Sequence, residues 1–472
     1  MSKDFLRKRF NIDKLRLKAS KDELIEAGKK QAKKVPVSEL GAFKPVERDA
    51  VEMIKTQEDT MIPELLPLRH QRMIANAFSF LRGTAGVMEY DLLHSTQSKI
   101  WVMICGDAHL NNFGFFASPE RQLLFGLNDF DETRVGNWES DLKRLMVSAQ
   151  LIGKINGYNP DNLYKILKNT AKAYEDGIND AAGQKLLDRF YASYSINDFF
   201  NTTSDDKQLV KILKKIADKA PKNNSDKVVK KFTTEENGKL VFKENPPRAR
   251  RISDQTYQEL VSAMEEYQKK LSPDVKVLLS SFKLTDIIRY SVGVGSFGTR
   301  CYLVLLTGRD GSHLVLQIKE AMPSKYDLSN LSVAEAKQQG YEEGRRVITG
   351  QSILQTFYDP FLGYTEAGGR SYYVRQFRDM KDSIDTTKLD EESFEAYATL
   401  CAFILARAHC QSPTAAMIYG YLQESKQFDK CMADWAVAYS KQVEQDYEAF
   451  TKYLRGEYDS RLRRKRKWLI LI

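Results

Sequence analysis

Two short acidic motifs, joined by one apolar hairpin, constrain this chain more than any other feature of its sequence. Residues 104–116 read ICGDAHLNNFGFF, and the apolar run IWVMIC predicts a buried strand that ends just before Asp107. Asn112 follows five residues after Asp107. The Ser-Pro turn in FGFFASPERQLLFG predicts a hairpin, which returns Asp129 and Asp131 of NDFDE to the same strand end.

These side chains are the ones that phosphoryl transfer requires of a protein. A carboxylate orients the attacking hydroxyl, and oxygen ligands hold Mg2+ against the phosphates. Asp107 is the predicted acceptor of the hydroxyl proton. Asn112, Asp129 and Asp131 are the predicted metal ligands, because Mg2+ prefers hard oxygen donors. The competing interpretation is an ordinary capped turn in each motif, since Asp and Asn favour turns; the connecting hairpin favours the first interpretation.

A glycine-rich segment much later in the chain supplies a candidate phosphate cradle. VGVGSFGTR places Gly293, Gly295 and Gly298 in a GxGxxG pattern, with Ser296 between them. A dinucleotide fold would continue into a helix, whereas CYLVLLTG and HLVLQIKEA predict two strands. A glycine loop followed by two strands, the second carrying a lysine, is the kinase arrangement, and it predicts that Lys319 contacts the α- and β-phosphates.

Length and pattern predict an α+β protein of several parts. A chain of 472 residues is too long for one simple core. Helical periodicity is expected in WESDLKRLMVSAQLIGKI and SFEAYATLCAFILARAHCQS, while residues 200–250 are polar and are expected to pack poorly. The predicted parts are a peripheral N-terminal arm (1–64), a helical catalytic lobe (65–280), a small antiparallel-sheet nucleotide lobe (281–380) and helices returning to the catalytic lobe (381–472).

Charge and cysteine content exclude some classes of protein. The net charge of +9 would suit an anionic partner, but lysine-rich solvated faces explain it equally well, so nucleic acid is not the expected partner. Five scattered cysteines and five histidines argue against a disulfide scaffold or a structural zinc site. With no apolar leader and no run of about 18 apolar residues, a cytoplasmic protein without a transmembrane segment is expected.

Several motifs together resemble a known family. GDAHLNNFG, LNDFDET, WESDLKRL, VGVGSFGTRCY, LQIKEA, GRRVITGQ, DPFLG, YYVRQFRDMK and ARAHCQS resemble a widespread bacterial family of uncharacterised proteins, over roughly residues 65–415. The motifs of that family are similar to those of aminoglycoside phosphotransferases and, more distantly, of protein kinases. The resemblance implies a protein-kinase-like fold of two lobes.

The chain order departs from that of ordinary kinase-like proteins, in which the glycine loop precedes the catalytic loop. Here Asp107 comes long before Gly293, and FILARAHCQS, which resembles the helix leading into the catalytic loop, lies near the C-terminus. A circular permutation explains both facts, because chain ends that are close and exposed tolerate it.

The resemblance also implies roles for further residues. Asp141 resembles the helix acid that braces the catalytic loop, and His409 would pack beneath that loop. The acidic partner of Lys319 would be Glu343, with Glu335 as the alternative. His109 is expected to be a packing residue, and Arg82 to face phosphate or to form a structural ion pair.

The implied activity is Mg-ATP-dependent phosphotransfer to an unidentified small-molecule or protein hydroxyl, with ATP and Mg2+ as cofactors. The alternatives are nucleotidyl transfer on the same fold and a catalytically idle nucleotide-binding scaffold with a basic surface. Retention of Asp107, Asn112, Asp129 and Lys319 together argues against the scaffold, which would need none of them.

Overall fold

The fold is known from a computed structural model of the chain, which describes residues 15, 18–291, 293, 297–323 and 343–469, with side chains up to residue 456. Three residues of the predicted site, Gly295, Ser296 and Glu335, lie outside the described residues. The α-helices of the described chain are α1 (Lys21–Lys34), α2 (Val37–Leu40), α3 (Ala50–Glu58), α4 (Leu66–Met73), α5 (Ala77–Gly83), α6 (Ala85–Leu93), α7 (Trp138–Ile155), α8 (Pro160–Gly183), α9 (Leu186–Tyr191), α10 (Ile196–Thr202), α11 (Lys207–Lys219), α12 (Ser225–Phe232), α13 (Asp254–Lys270), α14 (Pro273–Leu279), α15 (Glu343–Leu354), α16 (Glu391–His409), α17 (Ala415–Gln423) and α18 (Phe428–Leu469).

The strands form one six-stranded antiparallel sheet and three two-stranded pairs. They are β1 (Trp101–Ile104), β2 (Phe113–Ala117), β3 (Leu123–Leu127), β4 (Arg134–Asn137), β5 (Thr233–Glu236), β6 (Lys239–Phe242), β7 (Ala249–Arg250), β8 (Phe282–Tyr290), β9 (Cys301–Gly308), β10 (His313–Glu320), β11 (Gly363–Ala367) and β12 (Arg370–Gln376). The large sheet has the order β11-β12-β10-β9-β8-β7, and the pairs are β1 with β4, β2 with β3, and β5 with β6. The α+β class and the hairpin are therefore confirmed, and five of the six strands of the large sheet lie within 281–380, whereas β7 precedes that range.

The sheet carries an apolar layer on each face. Ile318, Tyr302 and Val374 lie on the face that packs against α13. Leu303, Leu305 and Val315 lie on the other face, with Val228 and Val229 of α12. This alternation follows from the two-residue period of a strand, which sends successive side chains to opposite faces. Lys319, next to Ile318, therefore points away from α13.

The helical body is built around α7 and α16. Almost every residue of α7 is buried, including Glu139, Asp141, Lys143 and Arg144. Charged residues are rarely buried without partners, so these four indicate that α7 supports other parts of the chain. Among the described residues, no helix combines the length and the apolar character that a membrane crossing requires.

Residues 21–58 are part of the helical body, whereas the sequence predicted a peripheral arm. Helix α1 lies directly on α17, where a Cβ at Gly28 would stand 2.0 Å from the Met417 carbonyl oxygen. Arg48, beyond α2, donates hydrogen bonds to Asp91 and Asp446 and is almost fully enclosed. Close helix contact through small residues leaves little trace in an apolar pattern, which is why the prediction missed it.

Residues 200–250 are also more ordered than their composition predicted. They contain α11, α12, β5 and β6, and Leu209, Leu213 and Ile216 bury one face of α11. The lysines of KQLVKILKKIADK occupy the opposite face of the helix. The polar average of the segment therefore concealed a helical apolar period.

Candidate active site

The loop after β1 is held from below by one carboxylate. Asp141, in the first turn of α7, accepts hydrogen bonds from the backbone nitrogens of Cys105 (2.7 Å) and Gly106 (2.8 Å). Gly106 has φ +80°, and a Cβ there would stand 2.2 Å from the Glu132 carbonyl oxygen, so this turn requires glycine. The predicted bracing role of Asp141 is confirmed.

The end of α16 supports the same loop. His409 Nε2 lies 3.2 Å from Asp141 Oδ2, and its Nδ1 lies 2.7 Å from the Tyr174 hydroxyl. Three residues further on, Ser412 Oγ accepts a hydrogen bond of 2.9 Å from Met103 N in β1. The segment ARAHCQS therefore lies beneath the loop that follows β1, as the resemblance implied.

Asn112 joins the two acidic motifs. Its amide nitrogen donates to the backbone carbonyls of Asp107 (2.9 Å) and Asp129 (3.0 Å). Cys105 Sγ also donates to the Asp129 carbonyl, at 3.1 Å. The amide oxygen of Asn112 accepts no hydrogen bond from the described residues, so the side chain is fixed by its nitrogen while its oxygen remains available to a ligand.

Asp107 lies at the surface of this loop and is oriented by a buried arginine. Arg144 of α7 donates from Nε to Asp107 Oδ1 at 2.8 Å, and its Nη2 binds the Leu81 carbonyl at 2.6 Å. The Asp107 side chain is 17% exposed to solvent, whereas the Arg144 side chain is 3% exposed. His109 is buried and lies 3.9 Å from Asp107 Oδ2, and burial lowers the pKa of its imidazole well below the usual value. His109 is therefore neutral, as expected of a packing residue, and Arg144 fixes the orientation of the Asp107 carboxylate.

Lys319 reaches the acidic motif from the sheet. It is 3% exposed, its Nζ binds Asp131 Oδ2, and the same nitrogen lies 3.8 Å from Asp129 Oδ1. The Tyr373 hydroxyl, on the neighbouring strand β12, donates to Asp131 Oδ1 at 2.9 Å. Burial by itself would lower the pKa of Lys319, but the Asp129 and Asp131 carboxylates raise it well above the usual value, so the lysine is charged.

The two aspartates of NDFDE differ in environment. Burial, and next the charge of Asp129, raise the pKa of Asp131, and Lys319 opposes this. The side chain of Asp129 is 48% exposed, against 24% for Asp131. Lys319 and Tyr373 bind the two oxygens of Asp131, so Asp129 is the more exposed of the two carboxylates, and the metal-ligand role of Asp131 stays a prediction.

The glycine loop is attached to the helical body at both described ends. Arg72 of α4 donates to the Gly293 carbonyl and lies 4.2 Å above the Phe297 ring. Ile62 N donates to the Gly298 carbonyl at 2.8 Å, and Gly298 has φ +120°, which favours glycine. The segment before α4 and α4 itself therefore contact the two described ends of the loop.

Glu343 does not pair with Lys319, contrary to the prediction. It begins α15 and binds Arg346, three residues along the same helix. Arg346 in turn donates to the backbone carbonyls of Thr133 (2.7 Å) and Asp131 (2.9 Å). An acid within one turn of an arginine can satisfy it locally, and the loop carboxylate Asp131 takes the place beside Lys319.

The predicted metal ligands Asn112, Asp129 and Asp131 lie together where Lys319 reaches the acidic motif. A Mg2+ ion usually takes one or two protein oxygens and completes its shell with phosphate and water. The described residues contain no group of three or more His, Cys, Asp or Glu arranged to hold a metal by themselves. The amide oxygen and the exposed carboxylate fit a metal that arrives with a phosphate ligand.

Sequence reasoning missed several charged residues close to Lys319 and the acidic motif NDFDE. Arg375, one strand from Lys319, has a guanidinium 5.5 Å from the Tyr373 ring, and Lys381 follows β12. Burial and the neighbouring charge of Arg375 lower the pKa of Lys381 to about 7. Arg144 was also missed, although its position three residues after Asp141 places both on one face of a helix. That spacing was the available signal.

The fold and the site define an α+β protein in which a buried lysine of an antiparallel sheet meets two aspartates of a helical body. The chain belongs to DUF2252, a family described as uncharacterised protein conserved in bacteria, and the match covers residues 61–453. The predicted bacterial family is thus confirmed. No curated protein and no solved structure matches the chain.

Proposed function

We propose that the protein is a Mg-ATP-dependent phosphotransferase that acts on a hydroxyl of a small molecule or a protein. The observation that carries this proposal is the 3.8 Å separation between Lys319 Nζ and Asp129 Oδ1. A triphosphate bound through a metal must reach a lysine on the sheet and an acid on the loop at once. Residues 190 positions apart in the chain meet that requirement.

Each residue of the cleft has a distinct role in this proposal. Lys319 binds the α- and β-phosphates, and the glycine loop between Gly293 and Gly298 covers them. Asn112 and Asp129 would hold Mg2+, which neutralises phosphate charge when bound. Asp107, held by Arg144, orients the acceptor hydroxyl and takes its proton. Phosphoryl transfer needs positioning more than a strong base, so an acid paired with an arginine suits this role.

The proposed fold is kinase-like and circularly permuted. Two observations support it: β1 pairs with β4 beside the loop that Asp141 braces, and Ser412, just after α16, binds Met103 of β1. In the unpermuted order α16 would lead directly into β1. Here α16 is followed by α17 and α18 near the C-terminus. Strand β1 is instead preceded in the chain by the N-terminal helices α1–α6.

Labelled ATP tests the activity directly. Purified protein is incubated with Mg2+, a bacterial extract as the source of acceptors, and ATP labelled at either the γ- or the α-phosphate. We expect γ-label, and no α-label, in a protein or metabolite fraction, and we expect Lys319→Met to abolish it. Transfer of α-label would establish nucleotidyl transfer instead. Nucleotide binding without transfer of either label would favour the scaffold.

A further inference from the structure

Arg82, in the last turn of α5, is a half-buried cation that the roles assigned above do not use. Its Nε is enclosed and has no hydrogen-bond partner within the part of the chain that the structure describes, and no ion pair of that part includes Arg82. Enclosing one guanidinium nitrogen without a hydrogen-bond partner is costly. An arginine kept in that state indicates that a ligand supplies the missing acceptor.

Two chains of contacts place Arg82 beside the catalytic loop. The carbonyl of the preceding residue, Leu81, binds Arg144, whose Nε binds Asp107 at 2.8 Å. On the other side, the Arg82 guanidinium lies 5.9 Å from the Phe78 ring, and that ring meets His109 edge-on at 5.9 Å. Helix α5 therefore presents Arg82 to the loop that carries Asp107.

Two carboxylates of the candidate site influence the charge of Arg82. Burial lowers the pKa of Arg82, and the carboxylates of Asp107 and Asp129 act against that shift. In the proposed function Asp107 faces the acceptor and Asp129 faces the metal and the phosphates, so Arg82 lies in the electrostatic field of both carboxylates. Arg144 already binds Asp107 and Lys319 already binds Asp131, which leaves the Arg82 guanidinium for an incoming anion.

We propose that Arg82 binds the oxygens of the phosphoryl group as that group passes from the nucleotide to the acceptor. The inference rests on the proposed function. In the step, the acceptor oxygen forms a bond to the γ-phosphorus, the bond from that phosphorus to the bridging oxygen of ADP breaks, and the hydroxyl proton goes to Asp107. Arg82 exchanges no proton. It stabilises the charge on the phosphoryl oxygens, which a planar guanidinium does with paired hydrogen bonds.

The test compares ligands that possess or lack the γ-phosphate. Calorimetry of Arg82→Gln should show Mg-ATP affinity reduced about 10- to 100-fold, as expected for loss of hydrogen bonds to a charged group. Mg-ADP affinity should stay within about twofold of the wild type. Transfer of the γ-label should fall about 100-fold or more. Arg82→Lys keeps the charge and should recover part of the ATP affinity.

Lys172→Gln is the matched control, because it removes one positive charge from an exposed pair on α8, and it should leave all three measurements unchanged. Equal losses for ATP and ADP, or an unchanged ATP affinity with a raised KM for the acceptor, would overturn the proposal. Binding of Mg-tripolyphosphate distinguishes a failure of the Arg82 proposal from a failure of the proposed function. Arg82-dependent binding of tripolyphosphate by a protein that binds no nucleotide would keep the anion site and remove the kinase assignment; no binding of either would remove both.

Discussion

The two sides of the cleft are built differently. On the catalytic-loop side, backbone groups are fixed by buried side chains from helices far apart in the chain, as Asp141 and Ser412 show. On the sheet side, Lys319 meets the acidic motif through side chains only, and the glycine loop is attached through Arg72 and Ile62. The first arrangement couples the site to the stability of the fold. The second involves fewer backbone groups of the loop, so we expect substitutions there to change the stability of the fold less.

The largest expected effect comes from removing the brace on the catalytic-loop side. Asp141→Ala leaves two buried backbone nitrogens, those of Cys105 and Gly106, without acceptors. At about 1–3 kcal/mol for each lost acceptor, the free energy of unfolding should fall by about 2–6 kcal/mol. Urea denaturation measures it. Asp176→Ala, which breaks an exposed ion pair with Lys172, should change it by less than about 1 kcal/mol; equal effects would show that the loop is not braced.

The next effect separates chemistry from stability within the same loop. Asp107→Asn keeps an oxygen for Arg144 but removes the proton acceptor. Turnover should therefore fall about 10²–10⁴-fold, with ATP affinity nearly intact and the free energy of unfolding within about 1 kcal/mol of the wild type. Transfer kinetics, calorimetry and denaturation are compared on one preparation. Full transfer activity would end the assignment of Asp107 as the residue that addresses the acceptor.

A smaller effect should distinguish the two aspartates of NDFDE. Asp129→Asn removes the negative charge of a proposed metal ligand but keeps the backbone carbonyl that Asn112 and Cys105 bind. Mg-ATP affinity should fall about tenfold or more, since even residues behind a metal ligand have effects of that size. ATP affinity without Mg2+ should change little.

Asp131→Asn is the matched variant for that comparison. It disturbs Lys319 and Tyr373, so it should weaken ATP binding with and without Mg2+. If the two variants exchange these patterns, Asp131 rather than Asp129 is the metal ligand.

A pH-dependent effect concerns Lys381, in the connection between the sheet and the helical body. Its pKa of about 7 lies below the ordinary 10.5 of a lysine, so between these values the unfolded chain binds the extra proton. The free energy of unfolding should therefore rise with pH from about 7 to about 10. Denaturation across that range should show the slope in the wild type relative to Lys381→Met. A difference independent of pH would mean that Lys381 has an ordinary pKa.

The sequence by itself determined the local pieces of this site. The buried strand before Asp107, the hairpin, the acidic motif and the glycine-loop strands follow from apolar period and turn residues, which act over a few positions. The bracing role of Asp141 followed from the family resemblance, and the structure bears it out. These features need no knowledge of how distant segments meet.

Only the tertiary structure decided which distant residues meet. Lys319 binds Asp131, 188 residues earlier, rather than Glu343, because Glu343 is satisfied by Arg346 within its own helix. Arg82 and Arg144 converge on Asp107 only through the packing of α5 against α7. Such pairings depend on the positions of whole helices and strands, and no periodicity in the chain encodes a contact between segments whose relative placement is set by a shared core.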